Sequence, residues 1–169
     1  MYLRLDQLKG IPFKHLGENV RISDKCSIYS PENISIGNNT RIDDFTILSA
    51  GVSGIYIGSH VHIACYTSLI GSALIDINDF AELSGRVSVY SSTNDFSKTM
   101  YWDVNLNREN IMHEEVKIGR HVVIGSGSVI LPGVHIDHYA RVGALSLIKH
   151  NIGYKEIWAG IPAKKFAIV

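Results

Sequence analysis

The stretch IGRHVVIGSGSVILPGVHIDHYARVGALSLI, residues 118–148, carries a large aliphatic at every sixth position: Ile118, Ile124, Ile130, Ile136, Val142 and Ile148. That interval matches neither the pitch of an amphipathic helix nor the alternation of a plain strand. It does match a short strand and a tight turn repeated along the three sides of a triangular prism. Three hexads then close one coil, and Ile118 and Ile136, eighteen residues apart, occupy equivalent places on successive coils. Internal repetition of this kind dictates architecture ahead of local propensity.

Toward the N-terminus the same rhythm runs through Leu16, Ile22, Ile28, Ile36, Ile42, Leu48, Ile57, Ile63, Leu69, Ile77, Leu83 and Val89. Gly or Asp often follows the aliphatic, as at Gly37, Asp43, Gly58, Gly119, Gly125 and Gly143. Four places after it sits a second small or β-branched residue, as at Cys26, Thr40, Thr46, Thr67, Ala81, Val122, Ser128 and Ser146. The sequence therefore predicts an all-β protein, a parallel β-helix of about six coils. Equivalent side chains should stack inside it at strand spacing, about 4.8 Å. Full burial of each aliphatic contributes roughly 1.5–3 kcal/mol before chain entropy is subtracted. The earlier coils are a few residues longer, which predicts bulges around Pro31–Ser35, Gly51–Tyr56 and Gly71–Ile75.

Two segments break the rhythm. Residues 1–15 contain LDQLKGIPF and are expected to form a short helical cap ending at Gly10. The remaining chain, 16–169, is expected to be one β-helix domain with an inserted loop, 90–115, and a tail, 151–169. An aperiodic loop of that length points to function, and Phe96, Tyr101 and Trp102 within it are expected to dock onto a surface.

Composition narrows the function. Sixteen Lys plus Arg balance sixteen Asp plus Glu, and without a basic stripe the chain does not read as a nucleic-acid binder. Cys26 falls at an inward position and Cys65 in a turn, so neither a disulfide framework nor an activated thiolate is suggested. No apolar run is long enough to span a bilayer and no secretory leader is evident, which predicts a cytoplasmic protein.

The hexad ladder, followed by the tail WAGIPAKKF, resembles the hexapeptide-repeat acyltransferases, and within them the galactoside-type sugar O-acetyltransferases of surface-polysaccharide pathways. The resemblance runs from LKGIPFKHLGENVRIS through VHIACYTSLIG and RVSVYSSTNDFS to the tail. It implies a left-handed coil, although the general crossover rule would give the opposite hand. It also implies a homotrimer with sites between subunits and acetyl-CoA as co-substrate. By the same resemblance Gly125, Ser126, Gly143 and Ala144 would contact the pantetheine arm, and Lys149, Lys164 and Lys165 would meet the nucleotide phosphates. Trp158 and Ile161 read as packing anchors for the tail.

Acetyl transfer calls for a base near the attacking group and a donor for the oxyanion. The repeat puts Arg41, His62 and Glu82 in one outward column, so that His62 can interact with Glu82 and serve as the base. The resemblance instead implies a histidine after the strand that enters the long loop, where this sequence has Asn94. Asn94 can orient a substrate but cannot act as a base. Asp95 beside it, and His113 at the far end of the loop, are the further catalytic candidates, and the return of the loop is expected to bring His113 near Asp95 or near the neighbouring subunit. Arg41, Glu82 and Asn94 are expected to contact the acceptor.

The primary expectation is O-acetylation of a sugar. The alternative is an N-acetyltransferase for a nucleotide-linked amino sugar, in which a free amine attacks without a protein base. A zinc hydratase built on His60, His62 and His121, or a non-catalytic β-helix, would belong to other classes.

Overall fold

The computed structural model describes residues 1–98 and 110–168. Its backbone is a parallel β-solenoid of about seven turns, one more than the count of hexads suggests, because the first of two tail strands continues the second face in parallel. The first face stacks His15–Leu16, Ile34–Ile36, Ile55–Ile57, Ile75–Ile77, Val116–Ile118 and His135–Ile136. The second stacks Arg21–Ile22, Arg41–Ile42, His62–Ile63, Glu82–Leu83, Val123–Ile124 and Arg141–Val142, then the tail strands Glu156–Gly160 and Ala163–Ile168. The third stacks Ser27–Tyr29, Ile47–Ala50, Ser68–Gly71, Ser88–Tyr90, Val129–Ile130 and Leu147–Ile148.

Every pairing between coils is parallel and in register, Ile36 on Ile57 on Ile77 on Ile118 for example. The hexad aliphatics from Ile36 to Ile130 are wholly buried. Most of the small residues four places on are buried too, and their hydroxyls close the turns: Thr40 donates to the Gly58 carbonyl at 2.8 Å and Ser146 to that of Gly143 at 2.7 Å. The predicted bulges lie at the corner between the third and first faces, where Pro31–Asn33 forms a 3-10 turn.

The other two corners share an unusual backbone. Asn39, His60, Phe80, His121 and Tyr139 on the first corner, and Phe45, Tyr66, Arg86 and Leu145 on the second, all have φ between 55° and 62°. Non-glycine residues pay for a left-handed conformation, and here stacking on the next coil offsets it. His60, Phe80, His121 and Tyr139 stack with ring centroids 4.8–4.9 Å apart.

The ends are closed by non-repeating segments. Helix Leu5–Gly10 buries Leu8 against the first coil. At the other end Glu156–Gly160 joins the second face in parallel and Ala163–Ile168 returns antiparallel to it. Trp158 packs against the core as expected, whereas Ile161 is 75% exposed and does not join the core among the described residues. Phe96 is likewise 80% exposed within the single chain, and Tyr101 and Trp102 lie outside the described residues.

Glu156 ties the tail together. It accepts from Lys165 Nζ at 2.7 Å, Trp158 Nε1 at 2.8 Å and the Gly153 amide at 2.9 Å. These donors, Lys165 foremost, hold its carboxyl down at about 2.

Two predictions follow from this packing. A Cβ on Gly58 would lie 2.6 Å from Asp79 Oδ1 and 2.7 Å from its amide, whereas one on Gly10 would meet nothing within 4 Å. Gly58→Ala should therefore cost about 1–3 kcal/mol and Gly10→Ala essentially nothing, read as shifts in urea midpoint. The contribution of the depressed Glu156 carboxyl is fully present above its ordinary value of 4.5 and is lost as pH falls toward 2. In a Trp102→Phe background, Trp158 fluorescence should report loosening of the tail across that window, and Glu156→Gln should abolish the pH dependence there.

Candidate functional site

The polar column of the second face forms as the repeat requires, with Arg41, His62 and Glu82 in register. His62 is held more closely by a residue the column does not contain. Its Nε2 lies 2.8 Å from Asp43 Oδ2 and 2.5 Å from an Arg41 terminal nitrogen, while Nδ1 stands 3.8 Å from Glu82. Asp43 also receives the Tyr2 hydroxyl at 3.0 Å and faces Arg41 Nε at 3.2 Å. Burial works to raise the Asp43 carboxyl, but hydrogen bonds from His62 and Tyr2 and the Arg41 charge outweigh it and hold it below the usual carboxylate range. Both ring nitrogens of His62 thus face protein groups. Sequence reading missed Asp43 as the partner because it is the residue after an inward aliphatic; two places after Arg41, it reaches His62 diagonally from the coil below.

The ends of the long loop pair as an antiparallel ribbon, Ser92–Asn94 against Ile111–His113. It leaves the prism at the corner between the third and first faces, across the coil from the second face that carries His62. Ser92 and His113 are directly opposed, with Ser92 Oγ 2.7 Å from His113 Nδ1. The Asp95 amide donates to the Asn110 carbonyl three pairs further out. Side chains alternate along a ribbon, so Asp95 projects from the face opposite to His113. Within one chain His113 therefore does not approach Asp95, the first of the two placements expected for it. Asp95 instead accepts from the Ser97 hydroxyl at 2.6 Å and its amide at 3.0 Å, and these bonds lower its carboxyl pKa. Asn94 is half-buried opposite Ile111. His62, Asp95 and His113 do not converge within one chain.

The residues assigned to the thioester carrier do fall together. Gly125, Ser126, Gly143 and Ala144 lie on the corner between the second and third faces, one coil above another. A Cβ on Gly125 would sit 2.4 Å from the Ala144 amide nitrogen, so close stacking demands glycine there. At the C-terminal end Lys149, Lys164 and Lys165 line one pocket of about 430 Å³ together with His150, Trp158 and Pro162. Lys165 is tied to Glu156, whereas among the described residues Lys149 and Lys164 pair with no carboxylate. An apolar and cationic pocket suits a phosphate-bearing nucleotide, and the glycine corner suits a slender arm.

The other histidines stay apart. His60 and His121 stack on Phe80 at the first corner, away from His62. Among the described residues no group of three His, Cys, Asp or Glu side chains is arranged to hold a metal ion, and no helix is long and apolar enough to cross a membrane. Cys26 is partly buried, which pushes its thiol up to about 11, and Cys65 is exposed.

Residues 115–150 match the family model described as bacterial transferase hexapeptide (six repeats). The dTDP-4-amino-4,6-dideoxy-D-glucose acyltransferase of Escherichia coli is 48% identical over 165 residues, covering 96% of this chain and 86% of that protein. A crystal structure of a serine variant of AntD, an N-acyltransferase from Bacillus cereus, in complex with dTDP-4-amino-4,6-dideoxyglucose and coenzyme A, superposes with a TM-score of 0.90 at 41% identity, covering 99% of this chain and 90% of that one. A maltose O-acetyltransferase from Clostridium difficile 630 matches with a TM-score of 0.64 at 21% identity, over 97% of this chain and 73% of that one, a likeness of fold. With that level of identity along nearly its whole length, and with the coil in place, the chain belongs to the hexapeptide-repeat sugar acyltransferases.

Proposed function

We propose that this protein transfers the acyl group of an acyl-CoA, acetyl being the expected one, to the amino group of a dTDP-linked 4-amino-4,6-dideoxyhexose. We further propose that it acts in the cytoplasm as a homotrimer. The observation that carries the acceptor is the 48% identity, over 96% of the chain, with an enzyme named for that sugar. It favours the N-acyl alternative over the O-acetyl expectation, behind which stands a fold-level likeness to the maltose enzyme.

The chemistry fits the residues. An amine in its neutral form attacks a thioester carbonyl unaided, forming the N–C bond while the C–S bond breaks; the ammonium proton is shed and the departing thiolate is protonated. Such an acceptor needs a group to hold its nitrogen more than it needs a strong base. Asp95, kept ionised by Ser97 on the protruding ribbon, suits that task, and in a trimer the ribbon of one copy would reach toward its neighbour. His62, with Nε2 held by Asp43 and Arg41 and Nδ1 3.8 Å from Glu82, acts in this reading as a structural tie between coils. Gly125, Ser126, Gly143 and Ala144 would line the pantetheine path. Lys149 and Lys164 would meet the phosphates, with Lys165 contributing less because Glu156 neutralises it. Acyl-CoA itself supplies the activated carbonyl.

With acetyl-CoA, thiol release should be fast with dTDP-4-amino-4,6-dideoxyglucose and slow with sugars that offer hydroxyls alone; equal rates would remove the amine from the proposal. Asp95→Asn, which keeps the Ser97 contacts, should lower kcat/KM by about 100-fold, while His62→Gln should change it by less than about tenfold. The reverse order would restore His62 as the base.

A further inference from the structure

The ribbon that carries Asp95 stands on a corner built from small residues. Between the third and first faces, Gly51, Gly71 and Ser91 follow one another on successive coils, and a Cβ on Gly71 would lie 2.8 Å from the Ser91 amide nitrogen. The Ser91 hydroxyl donates to the Ala73 carbonyl at 2.7 Å and closes the turn. The chain leaves the coil at the next residue, Ser92. Its hydroxyl oxygen accepts from the Ser72 amide, on the coil below, at 2.8 Å. The hydroxyl proton is thereby left for His113 Nδ1, 2.7 Å away on the returning strand. One oxygen thus joins the coil, the outgoing strand and the returning strand. The backbone adds the Glu114 amide, which donates to the Ser91 carbonyl at 3.1 Å. Among the described residues, no other side chain of Ser92–Asn94 or Ile111–His113 hydrogen-bonds to the coil. Ser92, His113, Gly51, Gly71 and Ser72 border a pocket of about 320 Å³, so packing beneath the ribbon does not replace this joint.

A two-stranded ribbon is marginally stable by itself, so its direction is set at its root. Asp95 lies three residues beyond Ser92, about 10 Å along a strand. A tilt of about 6° at the root moves that carboxylate by about 1 Å, and a misplacement of that size can cost about 100-fold in rate. We propose that Ser92 is a positioning residue for acyl transfer: by joining the Ser72 amide to His113, it fixes the angle of the ribbon and with it the place of Asp95. His113 is then the strut that completes the joint and not a base. The inference rests on the role proposed above for Asp95.

In acetylation of dTDP-4-amino-4,6-dideoxyglucose, Ser92→Ala should lower kcat by about tenfold or more, while the KM for acetyl-CoA stays within about twofold. The same change in an Asp95→Asn background should cost less than about twofold, because the carboxylate it positions is already gone. Ser92→Thr and His113→Asn keep an oxygen where the hydroxyl and Nδ1 stand, and each should lose no more than about threefold. Parent rates in Ser92→Ala, or an equal loss in both backgrounds, overturn the proposal. A loss in His113→Asn as large as in Ser92→Ala makes His113 the base and overturns it as well. Hydrogen exchange separates the joint from the acceptor reading. In Ser92→Ala the Asp95 and Glu114 amides should exchange about tenfold faster or more, whereas the Ala64 amide, bonded within the coil to the Leu83 carbonyl, should be unchanged and so report an intact fold. Unchanged exchange at Asp95 and Glu114 sinks the joint whatever sugar is taken. If the parent acetylates no amino sugar, the acceptor reading fails, and exchange still decides whether Ser92 holds the ribbon.

Discussion

Everything in this molecule depends on coils stacking in parallel register at strand spacing. One residue's place on a face fixes the place of its equivalent on the coil above, so side chains are organised as columns before any site exists. Inside, the columns are aliphatic and wholly buried. Outside, the same rule lines up Arg41, His62 and Glu82 on a face, and Phe45, Tyr66 and Arg86 at a corner. The coil is thus a scaffold on which chemistry is written one position per turn.

That rule explains what could be read from the sequence. The hexad interval disclosed the prism, the inward columns and the register of His62 on Arg41, because each depends on period alone. The return of the long loop to its own corner also followed, since the coil resumes in phase after it. The convergence of Lys149, Lys164 and Lys165 followed from the resemblance and from the place where the coil ends.

Contacts that cross between columns were not legible. Asp43 reaches His62 on the diagonal, and Glu156 collects Lys165, Trp158 and Gly153 through a tail that has no repeat. The aromatic corners were hidden for another reason. Intrinsic preference argues against Phe or Tyr at positive φ, and the stacking that offsets the cost exists only once neighbouring coils are in place. An approach of His113 to Asp95 was one of two placements the loop allowed, because both residues flank it. Ribbon pairing puts them on opposite faces, a distinction that depends on a register no local pattern encodes.

The antiparallel return of the tail has a consequence for the molecule's solution behaviour. A stack of parallel coils ends in a row of unpaired amides and carbonyls, and such an edge invites further strands. Here Ala163–Ile168 runs against the direction of all the coils beneath it, and Lys164 and Lys165 stand along it. A second molecule offering its own first coil would find there a strand of opposite polarity and the charged Lys164. The turn that shapes the lysine-lined pocket therefore also closes the open edge of the second face.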